Sequence, residues 1–169
     1  MSRTLGLLRH AKSAYPDGVV DHLRPLSERG ERDASAAGPV VRNRLDSLQL
    51  AIVSTATRAQ QTWSLVAPAW DRPPRHDDES KIYEAYADDL LLLLRDVESS
   101  VSSLLLVGHN PGFEDLAFAL VGEGSHSGSL AAMSAKYPTC ALAVFDIEGE
   151  WEHLVHKGAR LTSFDVPRG

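Results

Sequence analysis

The chain has a single cysteine, Cys140, so it can form no internal disulfide and cannot offer the paired thiolates of a zinc site. That usage fits a reducing compartment, and a cytoplasmic setting is expected. No apolar run approaches the ~20 residues needed to cross a bilayer. The first apolar stretch, Leu5-Gly6-Leu7-Leu8, stops at Arg9-His10, too short and wrongly flanked for a secretory signal. Positive charge is scarce too: 17 Lys and Arg stand against 23 Asp and Glu, a net charge of −6. This argues against broad binding to nucleic acid or to anionic membranes. Any anion site must therefore be local, made by a few converging cations. Neither an internal repeat nor a long linker is evident. What is present, 169 residues of which 43% are hydrophobic, suffices for one packed core, and a single domain over 1–169 is expected.

Three short apolar runs read as buried strands: Leu5 to Leu8, Leu50-Ala51-Ile52-Val53, and Leu104-Leu105-Leu106-Val107. Turn signals fill residues 13 to 25, and Ser27 can cap a helix running from Glu28 to about Leu45. Gly38-Pro39 inside it predicts a kink or break, because an interior proline costs about 3 kcal/mol. Ala56 to Ala69 reads as helical, Arg75 to Tyr83 as a short strand or extended connection, and Asp88 to Val97 as a helix. The leucines at 90 to 94 are assigned to the core. Pro111 suits the first turn of a helix reaching about Val121, followed by a polar, glycine-rich loop over 122–129. Alternation at Cys140, Leu142 and Val144, and again at Trp151 and Leu154, suggests two closing strands joined at Glu148-Gly149. Strand and helix alternate along most of the chain. That pattern predicts a three-layer α/β/α sandwich around a mainly parallel sheet of about five to six strands.

Each of the three buried strands ends in unusual polar groups: Arg9-His10, Ser54-Thr55 leading to Arg58, and Gly108-His109. Open α/β sheets bind ligands beyond the carboxyl ends of their strands. If these strands are parallel neighbours, two histidines and two arginines meet at one sheet edge. Arginine offers a planar fork of donors matched to phosphate oxygens. Histidine can attack as a neutral base or stabilise charge when protonated. Arg58, placed in the first turn of a helix, opposes the macrodipole, which hints at an anion bound nearby.

With these motifs in place, the sequence resembles the histidine phosphatase superfamily. Leu7-Leu8-Arg9-His10-Ala11-Lys12-Ser13 is similar to its signature, with Ala11 where the usual triplet has glycine. Ser54 to Thr62 is similar to its second motif, and Val107-Gly108-His109-Asn110-Pro111 to its third. The compact length, Arg24-Pro25-Leu26-Ser27-Glu28-Arg29-Gly30 and Tyr137-Pro138-Thr139 resemble the small SixA-type phosphohistidine phosphatase branch and its phosphoglycerate-mutase-like fold. The resemblance implies that His10 attacks phosphorus in line and is transiently phosphorylated. It implies that Arg9 and Arg58 hold the equatorial oxygens and that His109 adds positive charge in the transition state. Such chemistry is mostly positioning and electrostatics, so neither a metal nor another cofactor is expected.

Three residues near these motifs have more than one reading. Glu84, in Ile82-Tyr83-Glu84, stands near where mutase-like relatives carry a general acid; a surface glutamate is the other reading. Arg24 is either a further phosphate contact or a surface arginine, and Lys12 could raise the local potential in the same way. His153 and His156 fall three apart on an expected strand and so face opposite ways; His22, His76 and His126 read as solvated. The expected partner is a protein carrying phosphohistidine. A small phosphate ester on the same scaffold is the alternative, and a non-catalytic phosphate-binding module a more distant one. Oligomeric state has no signature in the sequence.

Overall fold

Four apolar runs of the chain become strands of one six-stranded sheet in the computed structural model, which describes residues 1–168. In chain order the elements are β1 (Ser2–Arg9), α1 (Glu28–Arg44), β2 (Leu50–Ser54), α2 (Thr57–Val66), β3 (Arg75–Glu79) and α3 (Ala87–Arg95). There follow β4 (Ser103–Gly108), α4 (Gly112–Leu120), α5 (Ser127–Ala135), β5 (Leu142–Glu148) and β6 (Ala159–Asp165). The sheet order is β3-β2-β4-β1-β5-β6. The first four strands run parallel, β5 opposes β1, and β6 opposes β5. The sheet is therefore mixed and mainly parallel.

Period-two alternation explains why the central strands are apolar at every position. Leu104 and Leu106 of β4 join one core with Leu90, Leu94, Phe113 and Leu116 from α3 and α4. Leu105 and Val107 join a second core on the opposite face, with Val41, Trp63 and Val66 from α1 and α2. This is the three-layer α/β/α arrangement. Each buried leucine contributes about 1.5–3 kcal/mol by leaving water. The two cores fix β1, β2 and β4 side by side, and their carboxyl ends open on the same edge.

Helix α1 begins at Ser27, whose Oγ accepts from the Gly30 N–H at 3.1 Å. Gly30 is required there: a Cβ would lie 2.0 Å from the Lys12 carbonyl oxygen. The break expected at Pro39 is absent, and α1 runs through it to Arg44. Ala34, Ala37, Gly38 and Val41 pack this helix against its neighbours, and a Cβ on Gly38 would approach the Val66 carbonyl oxygen at 3.2 Å. That packing outweighs the one backbone bond a proline forfeits.

The closing third differs from expectation in three respects. The loop over 122–129 gives way to α5 at Ser127, capped by His126, whose Nδ1 accepts from the Ser129 N–H at 3.1 Å. Trp151 and Leu154 do not form a strand; Trp151–His153 is a single 3-10 turn, with Trp151 buried and donating from Nε1 to the Val101 carbonyl at 2.6 Å. The last strand starts later, at Ala159, where buried Ala159, Leu161 and Ser163 alternate with more exposed residues. His153 and His156 consequently lie on a turn and a loop, each exposed. The outer edge of β6 is covered, because Gly122 and His126 donate to the Ala159 and Leu161 carbonyls at 2.7 and 2.8 Å. At the opposite edge β3 pairs only with β2 among the described residues.

Candidate active site

The parallel register carries the ends of β1 and β4 to one level: Arg9 pairs with Gly108, and the His10 N–H donates to the Gly108 carbonyl at 2.9 Å. Gly108 has to be glycine, since a Cβ would meet Phe113 at 2.5 Å and Ile82 at 2.6 Å. His10 and His109 follow these two strands, with ring centroids 5.1 Å apart. Arg58 arrives from the first turn of α2, and its Nε donates to His10 Nε2 at 3.3 Å. His10, Arg58 and His109 are 7%, 6% and 8% exposed, so all three are held in place by packing.

His10 is set up as a neutral base. Its Nδ1 lies 2.7 Å from the Ala11 carbonyl oxygen, so the ring proton sits on Nδ1 and the Nε2 lone pair points toward Arg58. Burial, reinforced by Arg58, Arg9 and Arg24, pulls its pKa down to about 4. Ala11 is itself fixed, with its N–H donating to Thr62 Oγ1 at 3.0 Å. It keeps a negative φ, so the methyl group that separates it from the usual glycine adds no backbone strain. Behind the loop, the Cys140 N–H donates to the carbonyls of His10 and Arg9 at 3.0 and 3.1 Å. Cys140 itself adopts a left-handed φ of 65°.

His109 is neutral as well. Burial lowers its pKa to about 3, with His10 and Arg58 pushing the same way. Its Nε2 lies 2.7 Å from Ser54 Oγ, and that hydroxyl already accepts from the Ala56 N–H at 3.3 Å. The buried Ser54 hydroxyl has no other acceptor among the described residues, so its proton goes to His109 Nε2 and the ring proton stays on Nδ1. That nitrogen is buried without a partner, as is Nε of Arg9. Buried donors left unpaired cost about 1–3 kcal/mol each, a cost that an arriving oxyanion relieves. Such an anion would also draw a proton onto His109, which carries no charge in the unliganded protein.

Arg9 is anchored through Nη1 to the Tyr137 carbonyl at 2.9 Å. Arg24 lies close by: its Nε donates to Asp21 Oδ1 at 3.0 Å, its guanidinium stacks 4.0 Å from the Tyr15 ring, and its Nη1 is buried and unpaired. Lys12 enters through its backbone, because its carbonyl receives the Ser27 N–H at 2.9 Å, while its side chain is exposed. Glu84 stands apart. It is exposed, adopts φ 58°, and enters no hydrogen bond of the cluster, whereas the adjoining Tyr83 packs edge-on to His109 at 5.6 Å.

Sequence reasoning missed Asp21. Its carbonyl and carboxylate both occupy the Arg58 fork, accepting from Nη1 at 2.7 Å and Nη2 at 3.1 Å, and its Oδ2 also accepts from Tyr83 OH. The Tyr83 hydrogen bond and the two arginines hold Asp21 down to about 2, so it is an anion at neutral pH. His22 also departs from its solvated reading: Nε2 lies 3.0 Å from Thr55 Oγ1, and the ring packs edge-on to Tyr83 at 4.8 Å. A turn-rich loop gives no periodic signal for such contacts; only its position directly after the β1 motif pointed toward the site. Among the described residues, no group of three or more His, Cys, Asp or Glu is placed to hold a metal ion.

Known proteins share this frame. Residues 5–81 match the family described as the histidine phosphatase superfamily (branch 1). The uncharacterized protein Rv1276c of Mycobacterium tuberculosis is 39% identical over 162 residues, 95% of this chain and 100% of that one. A structure from Nakamurella multipartitia assigned as the phosphohistidine phosphatase SixA superposes with a TM-score of 0.87 at 28% identity, covering 100% of this chain and 98% of that one. A second, from Agrobacterium tumefaciens and assigned likewise, gives 0.78 at 29% identity, covering 96% and 97%. The motif order, the sheet and these likenesses agree: the chain belongs to the histidine phosphatase superfamily, in its small SixA-type branch, and is a histidine-nucleophile phosphatase.

Proposed function

We propose that this phosphatase removes the phosphoryl group from phosphohistidine on a protein partner, using His10 as its nucleophile. One observation carries the choice of substrate. The carboxyl group that enters the cluster is no proton donor: Asp21 is ionised, held by Tyr83, Arg58 and Arg24, while Glu84 stands outside the cluster and Glu114 is engaged by the Asn110 amide at 3.3 Å. An alkoxide leaving group needs such an acid, whereas a departing imidazole is protonated by water.

His10 Nε2 attacks phosphorus as the P–N bond to the substrate imidazole breaks, and that imidazole takes its proton from solvent. Water then attacks phosphorylated His10, releasing inorganic phosphate and restoring the neutral ring. Arg9, Arg58 and the Nδ1–H of His109 hold the phosphoryl oxygens through both steps, and Arg24 adds to the local potential. A reducing, cytoplasmic setting belongs to the same proposal, supported by one buried cysteine whose thiol burial pushes up to about 12.

Rapid quenching during turnover of a histidine-phosphorylated protein should trap an acid-labile phosphoryl group, lost in His10→Ala. Phosphoimidazole should be cleaved far faster than p-nitrophenyl phosphate or a sugar phosphate. Full activity in His10→Ala would sink the nucleophile, and preference for the sugar phosphate would sink the substrate. A tungstate soak should place the oxyanion against Arg9, His10, Arg58 and His109 together.

A further inference from the structure

Leu92 breaks the leucine run of α3. Leu90, Leu91 and Leu94 are buried, but Leu92 is 58% exposed and Leu93 half-buried. Both line a groove of about 680 Å³ between α3 and the open edge strand β3, with Ile52 of β2 also on its wall. The groove starts at Tyr83, which packs on His109 and bonds to Asp21, and follows β3 down to Arg75. Five strand residues span about 16 Å at the usual rise. The rim is acidic: Asp77, Glu79, Glu84, Asp89, Asp96 and Glu98 face only Arg75 and Lys81.

An acidic groove beginning beside a phosphate site repels anionic metabolites from that side, and it also repels a second copy of itself. The charges on β3 protect its unpaired edge from strand addition by an identical chain. A cationic segment with an apolar side would instead satisfy the rim and cover Leu92 and Leu93. We propose that this groove docks a lysine- or arginine-rich amphipathic segment of the phosphorylated partner, next to the residue whose phosphoryl group enters the site. The proposal rests on the protein-phosphohistidine reading above and names the kind of partner.

The test uses two synthetic peptides, each with one phosphohistidine, flanked by Lys and Leu in the first and by Glu and Leu in the second. Wild-type protein should favour the Lys peptide by about tenfold in kcat/KM, a preference weakened by salt because rim charges are screened. In Asp96→Lys/Glu98→Lys, two exposed positions, the preference should collapse while phosphoimidazole turnover stays unchanged. Anisotropy of the labelled, unphosphorylated Lys peptide tests docking without hydrolysis; binding weakened about tenfold in the variant supports the groove, given several opposed rim charges. Equal binding by both proteins, or preference for the Glu peptide, overturns it. A dimer in sedimentation that Leu92→Glu dissociates would assign the groove to a second copy and overturn it too. Phosphoimidazole turnover in the same samples reports separately on the phosphohistidine chemistry.

Discussion

The residues around His10 reach the site by two routes. His10, Arg58 and His109 stand at the ends of buried strands or in the first turn of the following helix, and each is under a tenth exposed. Asp21, Tyr83 and Glu84 come from connecting segments; the Asp21 side chain is 54% exposed and Glu84 is exposed. The first group is fixed by backbone bonds such as His10 N–H to Gly108 and by two hydrophobic cores. In the second, Asp21 and Tyr83 are held by side-chain contacts with the first, and Glu84 makes no hydrogen bond to it. Chemistry that needs charge preorganised to a fraction of an ångström belongs to the strand-end group. The loop group can bias that charge without building it.

Arg58 offers the hardest test of this division. Arg58→Ala should lower kcat/KM by about 10²–10³, the range for removing one preorganised donor from a transition state. Arg58→Lys should recover only part, because a point charge cannot reproduce the fork. Steady-state kinetics on phosphoimidazole would show it. A loss smaller than that caused by any loop substitution would reverse the ranking.

Titration comes next in size. The ordinary histidine value is 6.5, and in the folded protein burial lowers His10 to about 4 and His109 to about 3. Between those values and 6.5 the unfolded chain binds protons that the folded chain refuses. The stabilising contribution is therefore complete above pH 6.5 and is lost as pH falls toward 4 and then 3. At about 1.4 kcal/mol per unit this amounts to a few kcal/mol for each histidine. Urea melts from pH 7.5 to 4 should show the decline, and His109→Gln should flatten it. An unchanged slope in that variant would mean that the histidine is not buried neutral.

The same division explains what the sequence disclosed. Arg9-His10, Ser54 to Arg58 and Gly108-His109 were legible because a run of apolar residues marks a buried strand and the polar break marks its end. The helices α1 to α4 were legible through signals such as the Ser27 cap, the leucine run and Pro111. Asp21 was not, because a half-exposed carboxylate in a turn-rich loop looks like any solvated acid until its partners are placed. α5 and β6 were hidden for a related reason: Ser127-Gly128-Ser129 reads as loop chemistry, and Trp151 fills the core from a 3-10 turn. Leu92 shows the limit of composition, since five consecutive leucines on a helix cannot all face inward.

Asp21→Asn should have a smaller effect, split between parameters. Removing a carboxylate that competes for the Arg58 fork should strengthen inhibition by inorganic phosphate by up to about fivefold, the scale of a largely exposed pair. The kcat should fall in the same variant, because the Arg58 Nη2 bond to the Asp21 side chain loses its charge, while the bond to the Asp21 carbonyl stays. Inhibition constants and kcat measured together would separate this from plain unfolding, which lowers activity without tightening phosphate binding.

The smallest effect is expected at Glu84, and it divides the two substrate readings. Glu84→Gln preserves size and removes the titrating group, and Glu84 is exposed outside the hydrogen-bonded cluster. Phosphoimidazole turnover should stay within about twofold of wild type, since surface changes away from functional contacts seldom exceed ±0.5 kcal/mol. If Glu84 moves in as a general acid once substrate binds, the loss should appear on sugar phosphates and be larger for poorer leaving groups. A plot of the variant's loss against leaving-group pKa would distinguish the cases. A flat line leaves water as the proton source, and a steep one would bring a connecting segment into the chemistry of the strand ends.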